Sequence, residues 1–149
     1  MKYISTRGQA PSLNFEEVTL AGLARDGGLY VPESWPSFSA DEIRRMRGLS
    51  YPQLVVAVMR PFVGDSIDEP TLSAMAQRAY ANFSHSAIAP IKQLETNLFF
   101  MELFQGPTLA FKDFALLFLG QLFEYFLARR GEHCTIVGAT SGDTGSAAI

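Results

Sequence analysis

A lysine lies at the start of the most apolar segment of this sequence, in a position suited to amine chemistry. Lys112 belongs to GPTLAFKDFALLFLG, residues 106–120, and its apolar neighbours are Leu109, Phe111 and Phe114. An amine among such side chains is poorly hydrated, which favours its neutral form. A neutral amine condenses with an aldehyde to give a Schiff base. The alternative is a lysine whose stem covers apolar surface while its ammonium stays in water.

Asp113 directly follows this lysine and bears on its charge. A carboxylate that faced the Lys112 amine would stabilise the ammonium and oppose its action as a nucleophile. Acidic side chains are favoured in the first turn of a helix, because the free amides there carry partial positive charge. We therefore expect Asp113 to lie at the N-terminus of a helix and to point away from the amine.

A second candidate site is the turn in VGATSGDTGSAA, residues 137–148. A strand that leads through such a turn into a helix presents free backbone amides, with the hydroxyls of Ser141 and Thr144, to one point that suits an anion. The turn lacks the patterns of nucleotide phosphate loops and of dinucleotide sites. A substrate carboxylate or phosphate and an ordinary capped turn remain as alternatives. Because Asp143 would repel an anion, we expect it to cap the helix.

The first part of the sequence, residues 1–83, has the pattern of a small, mostly helical lobe. Polar residues that cap helices precede apolar residues at helical spacing in four places. The four helix starts are predicted at Asn14, Ser39, Ser50 and Asp68. The first three are followed by Glu or Gln three residues later, which is the spacing of a capping box.

The remaining residues, 84–149, alternate between strand and helix patterns. The strand candidates are NLFFMELF and CTIVGA; a long apolar helix to Arg130 separates them, and another helix begins at GSAAI. This order predicts a right-handed crossover of a parallel sheet, so the fold class is α/β. Since such a sheet needs several strands with both faces covered, we expect residues 84–149 to be the beginning of a domain in a truncated chain.

The charge of the chain argues against two classes of partner. The formal net charge is −3 in 149 residues, with no basic patch that would bind nucleic acid or an anionic membrane. The basic cluster Arg44, Arg45 and Arg47 lies where a helix should end, and cations there offset the exposed carbonyl dipoles. We therefore expect neither nucleic acid nor membrane as a partner.

The sequence favours a cytoplasmic protein. Gln121 and Glu124 interrupt the apolar residues 114–128, which are fewer than the ~20 that a membrane span needs, so a core helix is favoured over a span. The amino terminus, MKYISTRGQAPS, has no apolar core of a signal peptide. Cys134 is the single cysteine and cannot form an internal disulfide, and its apolar surroundings predict a buried side chain.

Four motifs of the sequence resemble those of one enzyme family. ELFQGPTLAFKDFAL and VGATSGDTGSAAI resemble the lysine motif and the substrate-anion loop of threonine synthases, which are pyridoxal-phosphate enzymes of the tryptophan-synthase-β-like fold, fold type II. YISTRG, residues 3–8, and LARDGGLYVPE, residues 23–33, resemble the amino-terminal lobe that distinguishes this family from related dehydratases and cysteine synthases. The motifs occur in the family's order and extend over nearly the whole chain.

The resemblance implies roles for individual residues. Lys112 corresponds to the catalytic lysine that bonds to pyridoxal 5'-phosphate and shuttles protons, and Ser141, Gly142, Thr144 and Gly145 correspond to the loop that receives an anionic group of the substrate, its carboxylate. The implied reaction is the conversion of the small molecule O-phosphohomoserine and water to threonine and phosphate. No metal is implied.

The resemblance also has limits that leave alternatives open. The family's groups for the cofactor phosphate and the pyridine nitrogen come later than Ile149, so we expect this chain by itself to be inactive. Many family members have His where this chain has Gln105, which puts any role of an imidazole in doubt. A sister dehydratase, a relative that binds a phosphorylated ligand without making threonine, and an interaction domain are the alternatives.

Overall fold

The computed structural model describes residues 1–148, which form two compact units. The first unit is Met1–Ala74 and the second begins at Met75. The division falls inside one helix, Glu69–Tyr80. The boundary at residue 83 that the sequence pattern indicates remains a prediction. Within residues 1–148 no helix combines the length and the apolar character that a membrane crossing requires.

The first unit is mostly helical, as predicted, with one small sheet. Its elements are β1 (Tyr3–Ser5), α1 (Phe15–Ala21), β2 (Tyr30–Pro32), α2 (Ala40–Arg45), α3 (Tyr51–Val63), one turn of 3-10 helix (Gly64–Ser66) and the first part of α4 (Glu69–Tyr80). β1 and β2 pair in antiparallel fashion with Ile4 opposite Val31. The buried side chains of Tyr3, Phe15 and Val63 belong to its core.

All four predicted helix starts are confirmed, because capping depends on residues only three apart. Asn14 Oδ1 accepts from the Glu17 amide at 2.9 Å, and Glu17 Oε2 accepts from the Asn14 amide at 2.9 Å. The same reciprocal capping box opens α2 at Ser39 and α3 at Ser50. Asp68 caps α4 by accepting from an amide of its first turn at 2.9 Å.

The carboxylate of Asp26 joins the two amino-terminal motifs, residues 3–8 and 23–33. It accepts hydrogen bonds from Ser5 Oγ at 2.8 Å and from the amides of Gln9 and Gly28 at 2.9 Å. A side chain at Gly28 does not fit, since an added Cβ would lie 2.4 Å from Ser5 Oγ. Desolvation raises the pKa of Asp26, but the hydrogen bonds from Gly28, Ser5 and Gln9 outweigh it and hold the pKa below its ordinary value.

The Asp26→Asn substitution is expected to reduce the loss of stability of the protein in acid. Because the pKa of Asp26 is lower in the folded than in the unfolded state, its ionised form stabilises the fold fully above the ordinary aspartate pKa. That contribution is lost as the pH falls through the folded-state pKa. Unfolding temperatures measured from about pH 6 to about pH 3 test this. Asp41→Asn, at an exposed carboxylate, is the control, and equal pH dependence in all three proteins would contradict the prediction.

The second unit contains the rest of α4 and the elements that carry the candidate sites. These are β3 (Ile91–Glu95), β4 (Leu98–Met101), α5 (Asp113–Arg130) and α6 (Gly142–Ala147). Tyr80 Oη on α4 donates to the Phe114 carbonyl on α5 at 2.9 Å, which fixes the start of α5 against α4. The buried side chains of Phe118, Leu122 and Phe126 lie on α5, which confirms that this apolar segment is a core helix.

The parallel crossover predicted for this unit is not formed among the described residues. β4 pairs with β3 as an antiparallel hairpin, with Ile91 opposite Met101. Residues 134–139, the second predicted strand, belong to no sheet within residues 1–148 and are exposed, so the prediction that Cys134 is buried is wrong. A short turn brings β3 and β4 together locally, whereas a parallel strand needs partner strands at longer range. The α/β class, with helices and strands in both units, is confirmed.

Candidate functional site

Lys112 occupies the N-cap position of α5. Its backbone is helical, with φ −61° and ψ −28°, and its carbonyl accepts from the Leu116 amide at 2.9 Å. The side chain is half-buried, and Nζ lies 4.7 Å from the centroid of the Phe111 ring. Leu109 and Phe111 are 69% and 56% exposed, so the described residues do not close the apolar surroundings expected for this amine.

No partner in the described part of the chain neutralises the amine of Lys112. The salt bridge found within residues 1–148 joins Arg44 and Asp41, far from Lys112 in the sequence. Among the described residues, Phe111 is the aromatic ring that the ammonium contacts. The amine therefore has no ion-pair partner in the described chain that a ligand would have to displace.

Asp113 points away from the amine, as expected, but its partner is a residue of the preceding turn. The carboxylate is fully buried, at 0% exposure. Its Oδ1 accepts from Thr108 Oγ1 at 2.7 Å and its Oδ2 accepts from the Thr108 amide at 3.0 Å. Both carboxylate oxygens are thus occupied by donors of one residue, and neither forms an ion pair with Lys112.

Gly106 is packed directly against the Asp113 carboxylate. A Cβ added at Gly106 would lie 2.3 Å from Asp113 Oδ2 and 2.6 Å from Asp113 Cβ, closer than real contacts. Leu109 has a φ of 61°, in the left-handed region that residues with a Cβ rarely adopt. Sequence reasoning missed Gly106 and Thr108, because a threonine five residues before an aspartate is not a recognised capping spacing. The available signal was the GPT turn that precedes the lysine.

Gln105 anchors the start of the same turn. Many family members have His at this position. Oε1 of Gln105 accepts from Ser84 Oγ at 2.7 Å, and its Nε2 donates to Glu102 Oε2 at 2.9 Å. Its carbonyl accepts from the Ser84 amide at 2.8 Å. Both ends of the side-chain amide are therefore used in holding the chain on either side of the turn.

The SGDTG turn opens α6, as predicted. Ser141 is the N-cap residue, with φ −64° and ψ 160°, and its carbonyl accepts from the Gly145 amide at 3.0 Å. Gly142 is exposed, whereas Thr144 and Gly145 are half-buried. No side chain caps α6 within the described residues, so the capping expected of Asp143, which is exposed in the first turn, is not formed.

The structure places the two candidate sites in the same unit. Lys112 precedes α5, the predicted anion loop opens α6, and these two helices contact each other. The amides of residues 142–144 lie in the first turn of α6 without a partner inside the helix, which suits a carboxylate or a phosphate. The Gly145 amide is already used by the Ser141 carbonyl. An amine and a turn with free backbone amides thus lie on two helices that contact each other.

Comparison with known proteins gives matches over the whole chain. A family model described as the threonine synthase N terminus matches residues 2–80. A threonine synthase of Pseudomonas aeruginosa is 59% identical over 149 residues, which are 100% of this chain and 32% of that protein. A protein of Xenopus laevis named threonine synthase-like 2 is 43% identical over 150 residues, 100% of this chain and 31% of its own length.

A solved structure matches the fold as well as the sequence. The pyridoxal-phosphate-bound threonine synthase of Brucella melitensis has a TM-score of 0.97 and 54% identity, and the match covers 100% of this chain and 32% of that chain. The chain therefore spans about a third of the length of the relatives that it matches.

Proposed function

This chain belongs to the threonine synthase family, and on that premise we propose that the full-length protein converts O-phosphohomoserine and water to threonine and phosphate. By full-length protein we mean a chain that extends this one to the length of its relatives. The observation that carries the proposal is the amine of Lys112 at the start of α5, in a chain that matches a pyridoxal-phosphate-bound threonine synthase throughout. The reaction is that of a carbon–oxygen lyase acting on a phosphate ester.

The residues around Lys112 fit pyridoxal 5'-phosphate as a cofactor. The cofactor presents an aldehyde to a primary amine, and the Lys112 amine has no carboxylate partner among the described residues. The exposed ring of Phe111 adjoins the amine and can contact an aromatic ring of the cofactor. When bound, the cofactor supplies an electron sink for a carbanion of the substrate.

Three features of this chain serve the proposed reaction. Lys112 Nζ would hold the cofactor and would give and take protons at the substrate carbons. Asp113 faces Thr108, so it does not tie up the amine as an ion-pair partner. The turn of Ser141, Gly142, Thr144 and Gly145 binds the substrate carboxylate through the hydroxyls of Ser141 and Thr144 and through the amides that precede Gly145, because the Gly145 amide bonds to the Ser141 carbonyl. This contact orients the bond to be broken.

An assay of products tests the function directly. Full-length protein supplied with cofactor should release phosphate and threonine from O-phosphohomoserine in equal amounts. Formation of pyruvate from serine or 2-oxobutyrate from threonine, without this activity, would instead identify a dehydratase. Absence of cofactor absorbance and of all three activities would leave an interaction domain and contradict the proposal.

A second function is favoured by the match to threonine synthase-like 2. That match covers this chain as completely as the match to the P. aeruginosa threonine synthase, though at lower identity. The second candidate is a relative that binds or degrades a phosphorylated ligand without making threonine. The same assay separates the two functions, because threonine appears with phosphate in one case only.

Thr144→Val is expected to raise the KM for O-phosphohomoserine by about tenfold or more. The substitution removes a hydroxyl that we propose donates to the substrate carboxylate, and a hydrogen bond to a charged group contributes roughly 1.5–3 kcal/mol. Steady-state kinetics of the full-length protein measure the effect. Ser146→Ala removes an exposed hydroxyl from the same helix, α6, and serves as the control. A KM for the Thr144 variant equal to that of the control would contradict this role.

A further inference from the structure

The turn before Lys112 is closed by a buried carboxylate. A carboxylate removed from water requires hydrogen-bond donors, and Asp113 takes both of its donors from Thr108. Within residues 1–148, no buried side-chain nitrogen or oxygen lacks a partner. Gly106 completes the arrangement, because its missing side chain leaves room for the carboxylate. We call Gly106, Thr108 and Asp113 together the Asp113 clamp.

Residues 109–112 form the loop that the Asp113 clamp closes, and Lys112 is the last of them. Leu109, within this loop, has a φ of 61°, a left-handed conformation that is unfavourable for a residue with a Cβ. Such a conformation persists only where surrounding contacts hold it. The hydrogen bonds between Thr108 and Asp113, at the two ends of the loop, are contacts of this kind.

The Asp113 clamp also fixes the point from which the Lys112 side chain starts. Asp113 is the first residue of α5, and the Lys112 carbonyl accepts from the amides of Ala115 at 3.2 Å and Leu116 at 2.9 Å. The backbone of Lys112 is thus held on one side by the helix and on the other by the closed loop. A lysine stem has four rotatable bonds, so any freedom at Cα adds directly to the freedom of Nζ.

We propose that the Asp113 clamp positions Lys112, with Thr108 and Asp113 as positioning residues rather than catalytic ones. The proposal rests on the proposed function in that Lys112 is taken as the reacting amine. Its structural part, that the hydroxyl of Thr108 holds the start of α5 and the Lys112 amine in place, does not depend on the reaction. The two parts are therefore open to separate measurement.

Two substitutions of Thr108 in the full-length protein test the proposal. Thr108→Val keeps the shape of the side chain and removes the hydroxyl donor, whereas Thr108→Ser keeps the hydroxyl. Four quantities are measured. Amide hydrogen exchange of residues 113–116 and the rate of Lys112 modification by an amine-specific reagent are measured in cofactor-free protein, and kcat and KM are measured for O-phosphohomoserine.

Thr108→Val should speed exchange of these amides by about tenfold, because a hydrogen bond to a carboxylate is lost. The Lys112 modification rate should change by at least about threefold. The kcat should fall by about tenfold while KM changes less than about twofold, because positioning acts on the reacting amine more than on substrate binding. Thr108→Ser should restore the exchange rate, the Lys112 modification rate and kcat to within about twofold of the unchanged protein.

Thr71→Val is a matched control. Thr71 donates its amide, at 2.9 Å, and its side chain to Asp68, the residue that caps α4. The control therefore removes the same kind of threonine hydroxyl from the same kind of partner, in the other unit. It should leave exchange of residues 113–116, Lys112 modification and kcat unchanged.

Each contrary result identifies the part that fails. Unchanged exchange and unchanged Lys112 modification in Thr108→Val overturn the proposal, as does a failure of Thr108→Ser to restore them. Changed exchange with unchanged kcat in an active protein reduces the Asp113 clamp to a structural role and overturns positioning. If the unchanged protein has no activity on O-phosphohomoserine, the proposed function fails, while exchange and modification still decide whether the Asp113 clamp holds Lys112.

Discussion

Replacing Lys112 by alanine in the full-length protein is expected to lower kcat for threonine formation by at least about 1,000-fold, since it removes both the covalent anchor and the proton shuttle. No other lysine of the described chain stands at the N-terminus of a helix; Lys2 and Lys92 lie before or within strands. The measurement is phosphate and threonine release. The cofactor-loaded protein is also treated with borohydride, which fixes the cofactor to the lysine that holds it, and the residue that carries the cofactor is then identified.

Two further variants make this prediction specific. Lys112→Arg keeps a long cationic side chain but offers no amine that is readily deprotonated, so it should lose activity as fully as the alanine variant. Lys92→Ala removes an exposed lysine from β3 and should retain full activity. Activity of the Lys112 variants within about tenfold of the unchanged protein, or cofactor fixed to another lysine, would contradict the assignment of Lys112.

Gly106→Ala is expected to destabilise the full-length protein by about 1–3 kcal/mol and to lower kcat as well. The added Cβ would lie 2.3 Å from Asp113 Oδ2 and 2.8 Å from Asp113 Cγ. Asp113 is fully buried and bonded to Thr108, so its carboxylate has little room to move aside. The Asp113 clamp must open or the turn must shift, and in either case the start of α5 is disturbed. Thermal unfolding and steady-state kinetics give the two effects.

Gly120→Ala is a control in which the expected change in stability has the opposite sign. Gly120 lies within α5, and an added Cβ would meet no atom within 4 Å. Alanine in the interior of a helix is more favourable than glycine by roughly 0.5–1 kcal/mol, so this variant should be slightly more stable and equally active. If both glycine variants unfold at the temperature of the unchanged protein, the close packing of Gly106 against Asp113 does not contribute to stability.

Local features of the fold were predictable because they depend on residues close in the chain. The capping boxes at Asn14, Ser39 and Ser50 form as expected, since donor and acceptor are three residues apart. The long helix to Arg130 is also as predicted. Family membership followed from four short motifs, and the comparisons confirm it.

Pairing and exposure of the strands were not predictable in the same way. The pattern of β4 is apolar enough for a buried parallel strand, yet β3 and β4 form a hairpin whose residues are all exposed in the described chain. An apolar run specifies that a strand is suited to burial, but it does not specify its neighbour. Residues 134–139 show the same limit. Their sequence is suited to a strand, but a strand forms only where a neighbouring strand accepts its hydrogen bonds, and the described chain offers none to them.

For the candidate site, the sequence by itself determined which groups are present: an amine at the start of a helix, and a turn of small and hydroxyl residues before another. The tertiary structure alone decided where the Asp113 carboxylate points, that Thr108 supplies both of its donors, and that Gly106 makes room for it. The reason is physical. A side chain's type sets the bonds that it is able to make, whereas the partners that it meets depend on how the intervening turn folds.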